Sequence, residues 1–162
     1  MAAELAFLHR NTKGSTRLLE PVLDRIHAMS HRFEGDAEAL VNDVWKCFAE
    51  RSAMLGLWAI LEGEEVIGHL LAFIKQWDGQ WVAWVTQLEI DRPITKEFRE
   101  AGLAALEEWV EQFNFSFQNQ GVRIDTILMS TVRETEGWTR HFGFEEYRQI
   151  RRRRLRLAPR KG

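Results

Sequence analysis

The side chains that could act as nucleophiles or metal ligands are few and dispersed. Cys47 is the only cysteine, so the chain can form neither an internal disulfide nor a thiolate zinc cluster. It lies among apolar residues at helical spacing, which favours a small buried residue over a nucleophile. His69 interrupts the apolar run 67–73 without a second His, Asp or Glu at ligand-like spacing, and His9, His27 and His31 are scattered. We therefore predict no metal site and hydrogen-bonded packing for His69.

Charge is divided unevenly along the chain. Residues 148–162 contain eight of the 22 lysines and arginines and no acid, which leaves 14 bases against 24 acids, a net charge of −10, in the rest. This division favours self-association, or docking to an acidic partner or a nucleic acid. Strand alternation predicts Arg152, Arg154 and Arg156 in one row, with Arg153 and two leucines on the other side. Because no aromatic residues interleave with these arginines, we expect a solvated or self-pairing strand and disfavour nucleic acid.

Seven tryptophans are many for 162 residues. Trp77, Trp81 and Trp84 cluster around one predicted hairpin, and a single small core cannot bury every indole. We therefore expect an aromatic patch near this hairpin that serves as an interface, since Trp and Arg often carry the binding energy of protein contacts.

The chain has the size and composition of one domain. Its 162 residues are 45% hydrophobic and 28% charged, which predicts a single domain over 1–162 around one core, with a basic C-terminal strand and tail at 148–162. No apolar run approaches the ~20 residues that cross a bilayer. Glu4, His9 and Arg10 interrupt the short apolar start, which does not fit a secretory signal. We expect a cytoplasmic protein.

Two helices are predicted near the start of the chain. After a short strand at 4–9, apolar residues at helical spacing predict a helix from about Leu18, in which Pro21 is tolerated only in the first turn. Asp36 is the expected N-cap of a second helix that ends near Ala53.

The middle of the chain changes to strand patterns. Three runs rich in apolar and aromatic residues, separated by turn signals, predict an antiparallel meander over 57–61, 66–74 and 81–90. The third run has apolar residues at both its odd and its even positions, which is typical of a central strand covered on both faces. After Pro93, Thr95 is the expected cap of the clearest helix in the chain, which runs to about Phe113.

The rest of the chain completes the predicted order. A strand over 122–130, a short helix from about Glu134 to His141 and a final strand from Phe144 to Leu157 follow. The fold class is therefore α/β (α+β), with a mixed, mostly antiparallel central sheet flanked by helices.

This order resembles that of the GNAT-type N-acetyltransferases, and two motifs strengthen the resemblance. The meander followed by Leu-Glu-Ile-Asp at 88–91 and a helix is similar to the family's acyl-CoA-binding core. The run Gly-Trp-Thr-Arg-His-Phe-Gly-Phe at 137–144 resembles the later helix of the family and the Gly-Phe pair before its last strand. The resemblance covers most of the chain. It implies an acyl-CoA N-acyltransferase-like fold, acetyl-CoA as the acyl donor and an amine as the acceptor.

The resemblance also implies a cofactor site. The family holds the pyrophosphate of coenzyme A with backbone amides of an Arg/Gln-x-x-Gly-x-Gly/Ala loop at a helix N-terminus. Laid on that loop, residues 95–100 contain no glycine, and Glu97 and Glu100 place negative charge beside the phosphates. The implied cofactor-binding residues are Leu88, Ile90, Thr95, Lys96 and Arg99. An ordinary capped helix without a bound anion is the alternative.

Catalytic roles follow from the same resemblance. Family members often place a proton-accepting carboxylate on the central strand and a tyrosine on the later helix that protonates the leaving thiolate. Glu89 is the carboxylate of this strand, Thr139 stands where the tyrosine is expected, and His141 is its titratable substitute. The alternative is that Glu89 pairs with an arginine and His141 caps a helix.

Two functions therefore compete. The first is transfer of an acetyl group from acetyl-CoA to an amine. The second is a domain that keeps this fold as an interaction or assembly module, for example a subunit of a larger complex or a virus particle. In the second case the tryptophan cluster and the arginine row would support self-association or a protein partner. The incomplete loop and the missing tyrosine favour the second function, and the fold resemblance favours the first.

Overall fold

The computed structural model describes residues 3–9, 13–32, 36–129, 145–147 and 150–154, with residues 31–32 and the last two segments described by their backbone. The helices are α1 (Ser15–Arg32), α2 (Ala37–Ala49) and α3 (Lys96–Ser116), and a short 3₁₀ turn follows at Gln118–Gln120. The strands are β1 (Glu4–Phe7), β2 (Leu55–Glu62), β3 (Glu65–Trp77), β4 (Gln80–Ile90), β5 (Thr126–Met129), β6 (Glu145–Tyr147) and β7 (Ile150–Arg154).

The described strands form one sheet in the order β1-β2-β3-β4-β5-β7-β6. Strands β4 and β5 are parallel, and the other neighbouring pairs are antiparallel. The sheet confirms the predicted fold class and the predicted meander of β2, β3 and β4. Strand β4 lies in the middle of the order, as its apolar residues at both parities predicted.

Helices cover both faces of the sheet. One apolar core packs α3 against one face, with Leu70 on β3 and Val110 on α3 among its buried members. The other core packs α1 and α2 against the opposite face and includes Val22, Val44 and Leu71. Neighbouring residues of β3 thus enter different cores, and burying each such side chain stabilises the fold by roughly 1.5–3 kcal/mol. Within the described residues, no helix is both long and apolar enough to span a membrane.

The two N-terminal helices differ in part from their prediction. Helix α1 begins at Ser15, so Pro21 lies inside the helix and not in its first turn as predicted. The cost is one backbone hydrogen bond, which the packing of α1 on the sheet offsets. Asp36 caps α2 as predicted, and its carboxylate accepts the Ala39 N–H at 3.0 Å. Helix α2 ends at Ala49, before the predicted Ala53, because Arg51 adopts a left-handed φ of 57°.

The predicted single strand from Phe144 to Leu157 is wrong. Its described residues form two antiparallel strands, β6 and β7, with Glu145 across from Arg152. Strand β7 lies between β5 and β6, so it is an interior strand of the described sheet. The sequence between the two strands, Arg148-Gln149, lacks the Gly, Asn or Asp that usually marks a two-residue hairpin. The predicted helix at 134–141 lies outside the described residues.

Candidate functional site

Strand β4 contains a β-bulge at Thr86. Leu71 of β3 lies across from Gln87, whereas the next β3 residue, Ala72, lies across from Val85. Thr86 is therefore one extra residue on β4. An extra residue reverses the face to which the following side chains point.

The bulge decides which side chains of β4 share a face. After it, Gln87 and Glu89 lie on the face covered by α1, where both reach α1 residues. Leu88 lies on the opposite face and lines a cavity beside α3. Without the bulge these assignments would be exchanged.

The cavity lies beside the C-terminal part of β4. The last described pair of β4 with β5 is Val85–Met129, and β4 itself runs to Ile90. A cavity of about 20 Å³ opens there between the sheet and α3. Its walls are almost entirely apolar; the lining residues are Leu70, Val85, Leu88, Phe98, Arg99, Gly102, Leu103, Leu106 and Met129. As it stands, this volume accommodates roughly one water molecule.

The N-terminus of α3 is capped within the protein. Thr95 Oγ1 accepts the Phe98 N–H at 3.1 Å, and the Thr95 carbonyl accepts the Arg99 N–H at 3.1 Å. The Lys96 ammonium lies 3.9 Å from the Glu100 carboxylate, and both side chains are exposed. Two of the first amides are thus already used, so Thr95 acts as a helix cap in this arrangement.

Two residues of α3, Arg99 and Gly102, line the cavity. The Nε of Arg99 is buried without a hydrogen-bond partner. Gly102 is buried, and a Cβ added there would meet no atom within 4 Å. The Arg/Gln-x-x-Gly-x-Gly/Ala pattern is satisfied from Arg99 through Gly102 to Ala104, four residues after Thr95. The sequence therefore contains the family's loop pattern four residues later than the alignment on residues 95–100 placed it. In the structure these residues lie inside α3, which begins at Lys96, so the amides from Glu100 onward bond within the helix.

Glu89 belongs to a charged cluster on the α1 face. The Arg25 guanidinium donates to both carboxylate oxygens of Asp91, at 2.7 and 3.0 Å, and contacts Glu89 Oε1 at 3.4 Å. The hydrogen bond from Arg25 lowers the pKa of Asp91, and that bond raises the pKa of Arg25. Glu89 therefore has the arginine partner that the alternative interpretation expected, but the tighter contact belongs to Asp91.

His69 is completely buried beside this cluster. Its Nε2 lies 2.8 Å from Gln87 Oε1, and Gln87 Nε2 donates to Ser30 Oγ at 2.7 Å. Burial lowers the pKa of His69, against the effects of the Gln87 hydrogen bond and of Glu89. The predicted hydrogen-bonded packing of His69 is confirmed. In the described residues, no group of three or more His, Cys, Asp or Glu side chains is arranged to hold a metal ion.

The other predicted site residues are placed as follows. Ile90 packs near Phe98 at the start of α3. Thr139 and His141 lie outside the described residues, as does Arg156, whereas Arg152 and Arg154 lie in β7. Cys47 is half-buried, and burial raises the pKa of its thiol, which opposes nucleophilic reactivity.

The tryptophan cluster is divided between the two faces of the sheet. The rings of Trp77 and Trp84 lie 6.1 Å apart, and Lys75 Nζ lies 4.0 Å from the centroid of Trp84. Trp81 packs instead against the core beneath α3. All three indoles are half-buried. Among the described residues, the large hydrophobic side chains that are exposed are Trp45 at 51% and Phe115 at 75%, and neither belongs to this tryptophan cluster. Apart from their polar neighbours, nothing in the sequence indicated that these two residues are exposed.

Comparison with known proteins supports the fold. No family model matches the sequence, and no curated protein matches it. A GCN5-related N-acetyltransferase from Ralstonia eutropha JMP134 has a similar structure, with a TM-score of 0.52 at 14% identity, covering 99% of this chain and 100% of that chain. A predicted acetyltransferase with acetyl-CoA from Clostridium acetobutylicum has a TM-score of 0.51 at 11% identity, covering 91% and 93%.

A third similar structure is a tandem GNAT protein from the clavulanic acid biosynthesis pathway. Its TM-score is 0.50 at 15% identity, over 91% of this chain and 45% of that chain. These identities are too low to transfer an activity, but the shared architecture extends over nearly the whole chain. The chain has the fold of the GNAT-type N-acetyltransferases.

Proposed function

We propose that the chain is an acetyl-CoA-dependent N-acetyltransferase acting on an amine. The observation that carries this proposal is the placement of two features on opposite faces of the C-terminal part of β4. The apolar cavity lies on the α3 face and Glu89 lies on the α1 face. A donor on one face and an amine on the other could meet at the end of β4. A cytoplasmic location is part of the same proposal.

The donor side is formed by apolar walls and two cations. Acetyl-CoA, when bound, supplies an activated acyl carbonyl. Leu88, Leu103 and Met129 exclude water from that side of β4. Arg99 has a buried Nε without a partner, and Lys96 is exposed nearby on the same helix, so these side chains would neutralise phosphates. Side chains, and not the first amides of α3, would bind the phosphates, because Thr95 already caps this helix.

The acceptor side depends on Glu89. Its carboxylate, or a water that it holds, takes a proton from the amine so that the nitrogen lone pair can attack. A backbone amide near Ile90 would donate to the oxygen on which negative charge develops. Arg25 makes two hydrogen bonds to Asp91 that are shorter than its contact with Glu89, so Arg25 stays bound to Asp91 when Glu89 takes the proton.

Calorimetric titration of the purified chain with coenzyme A and acetyl-CoA tests the donor site. We expect micromolar binding, a free energy of roughly −8 kcal/mol. Arg99→Gln should weaken it at least tenfold, whereas Lys46→Gln, on the exposed side of α2, should not change it. No heat at millimolar ligand from a folded protein would reject the proposal.

Release of free thiol from acetyl-CoA tests the acceptor side. The assay would include a polyamine, an amino sugar and a peptide with a free N-terminus as acceptors. Glu89→Gln should abolish amine-dependent release while acetyl-CoA binding persists. Turnover that survives this substitution would remove Glu89 from the mechanism.

A binding module with the same fold is the second candidate function. It is favoured by the capped first turn of α3 and by the exposed acids Glu97 and Glu100, which oppose phosphate binding. In that case self-association or a protein partner would use Trp77, Trp81 and Trp84 together with the face of Arg152, Arg154 and Arg156. Changing the three arginines together to serine should then alter the sedimentation coefficient, and an unchanged value counts against this function.

A further inference from the structure

One nitrogen of His69 has no partner in a completely buried position. The ring is 0% exposed, Nε2 is hydrogen-bonded to Gln87, and Nδ1 is buried without a hydrogen-bond partner. Buried polar atoms are rarely unpaired, since each costs about 1–3 kcal/mol. The two ring nitrogens diverge, so Nδ1 faces away from Gln87.

The neighbours of Gln87 determine where the imidazole proton lies. Gln87 Nε2 is 3.4 Å from the Ile26 carbonyl and 2.7 Å from Ser30 Oγ, and Ser30 itself donates to that carbonyl at 2.8 Å. Since a carbonyl can only accept, the amide nitrogen of Gln87 must face α1 and its oxygen must face His69. Nε2 of His69 therefore donates. In the neutral ring, Nδ1 carries a lone pair and is an available base.

Glu89 is the cross-strand neighbour of His69. The two residues are paired in the register of β3 and β4, and the bulge at Thr86 places Glu89 on the face that contains His69. Directly paired residues on neighbouring antiparallel strands have Cβ atoms about 4.5–5.5 Å apart. Arg25 lies 3.4 Å from Glu89 and 2.7 Å from Asp91, so Arg25 stays paired with Asp91 when the Glu89 carboxylate carries a proton.

We propose that His69 is a positioning residue that acts through Glu89 and accepts, at Nδ1, the proton that Glu89 removes from the amine. This role rests on the proposed acetyltransferase function. The N–H bond of the ammonium breaks, its electron pair stays on nitrogen, and an O–H bond forms on Glu89. That O–H bond then breaks as N–H forms on Nδ1. Glu89 returns to carboxylate, and Nε2 keeps its hydrogen bond to Gln87.

Three charged groups act on the imidazole from the elements packed around it. Arg25 of α1 opposes protonation, whereas Glu89 of β4 and Asp91 just after β4 favour it. The side chain of Glu89 is 23% exposed, so the proton can return from His69 to water by the same route.

Nitrogen-15 NMR of the full chain with labelled histidine tests the pair directly. The His69→Gln variant identifies the resonances of His69 by their loss. At neutral pH we expect a proton on Nε2 and none on Nδ1, and on acidification Nδ1 should gain a proton. In Glu89→Gln this protonation should require a pH lower by about one unit or more, because a negative charge that favours the protonated imidazole is lost.

Asp91→Asn is the matched control for that shift. It removes the same charge next to the same arginine, but Asp91 is not paired with His69 in the strand register. We expect less than half of the Glu89→Gln effect. Equal shifts in both variants, no shift in Glu89→Gln, or a proton on Nδ1 at neutral pH would overturn the proposal.

Kinetics test the relay itself. His69→Gln keeps an amide that can donate to Gln87 but has no basic nitrogen, so kcat should fall at least tenfold while the KM for acetyl-CoA stays within about twofold. The acidic limb of the pH–rate profile should also change. Asn114→Ala, which loses hydrogen bonds far along α3, should lower stability without lowering kcat.

An unchanged kcat in His69→Gln overturns the relay. Absence of acetyl-CoA binding in the unmodified protein overturns the proposed function and the relay together. The NMR experiment still decides in that case whether Glu89 and His69 form a pair, so the two failures are distinguishable.

Discussion

Replacing Gly102 by alanine should stabilise the fold and weaken donor binding at the same time. Gly102 lies inside α3, where glycine costs about 1 kcal/mol relative to alanine. The added Cβ would meet no atom within 4 Å, so no clash cancels this gain. We therefore expect the free energy of unfolding to rise by about 1 kcal/mol.

The same methyl group would occupy space that the proposed donor needs. Gly102 lines the cavity of about 20 Å³ between α3 and the end of β4. A methyl group consumes most of a space that holds roughly one water molecule. Acetyl-CoA affinity should fall at least tenfold, which corresponds to about 1.4 kcal/mol.

Urea unfolding and calorimetric titration measure the two effects separately. Ala101→Gly is the matched control, because Ala101 is exposed on the same helix and does not line the cavity. It should lower stability by about 1 kcal/mol and leave the affinity unchanged. If Gly102→Ala is folded and binds acetyl-CoA as tightly as the unmodified protein, the cavity is not the donor site. A less stable Gly102→Ala protein would refute the reasoning about space at this position.

Three further predictions concern stability. Asn114→Ala should lower the free energy of unfolding in urea by about 2–4 kcal/mol. The reason is that the Asn114 amide forms hydrogen bonds with both the N–H and the carbonyl of Ile124, at 2.7 and 2.8 Å. A loss below about 0.5 kcal/mol would mean that water replaces the Asn114 side chain as the partner of Ile124. Thr95→Ala should cost about 1 kcal/mol by removing the cap on the Phe98 N–H, and Thr95→Asn should restore most of it. Because burial lowers the pKa of His69, the unfolded state binds its proton first as pH falls below about 6.5, so the unfolding free energy should decrease from pH 7 to 5. His69→Gln should flatten the pH dependence of the unfolding free energy, and an unchanged slope between pH 7 and 5 would contradict this prediction.

Local patterns predicted most of the secondary structure. Asp36 and Thr95 cap helices as expected, since short polar side chains satisfy amides that no helical carbonyl can reach. The three strands of the meander and their antiparallel pairing follow from runs of β-favouring residues separated by turns. Boundaries were less accurate, because Pro21 is tolerated within α1 once packing offsets its missing hydrogen bond.

The candidate site was only partly predictable. Glu89, Lys96 and Arg99 were selected through the resemblance to the GNAT family, and Gly102 stands three residues after Arg99, as the family's loop pattern requires. His69 was predicted to pack through a hydrogen bond, but its unpaired Nδ1 depends on the orientation of the Gln87 amide. That orientation is set by a helix 57 residues away in the sequence from Gln87, a contact that no periodicity reveals.

The sequence by itself determined the order of helices and strands from β1 to β5, the central place of β4 and the residue types available at its end, since these depend on local propensity and apolar period. The tertiary structure decided which of those residues meet. One extra residue at Thr86 turns Glu89 toward Arg25 and His69 and turns Leu88 toward the cavity. The physical reason is that a strand alternates its faces with a period of two, so a single unpaired residue exchanges the two faces, and only pairing with the neighbouring strand shows where that residue lies.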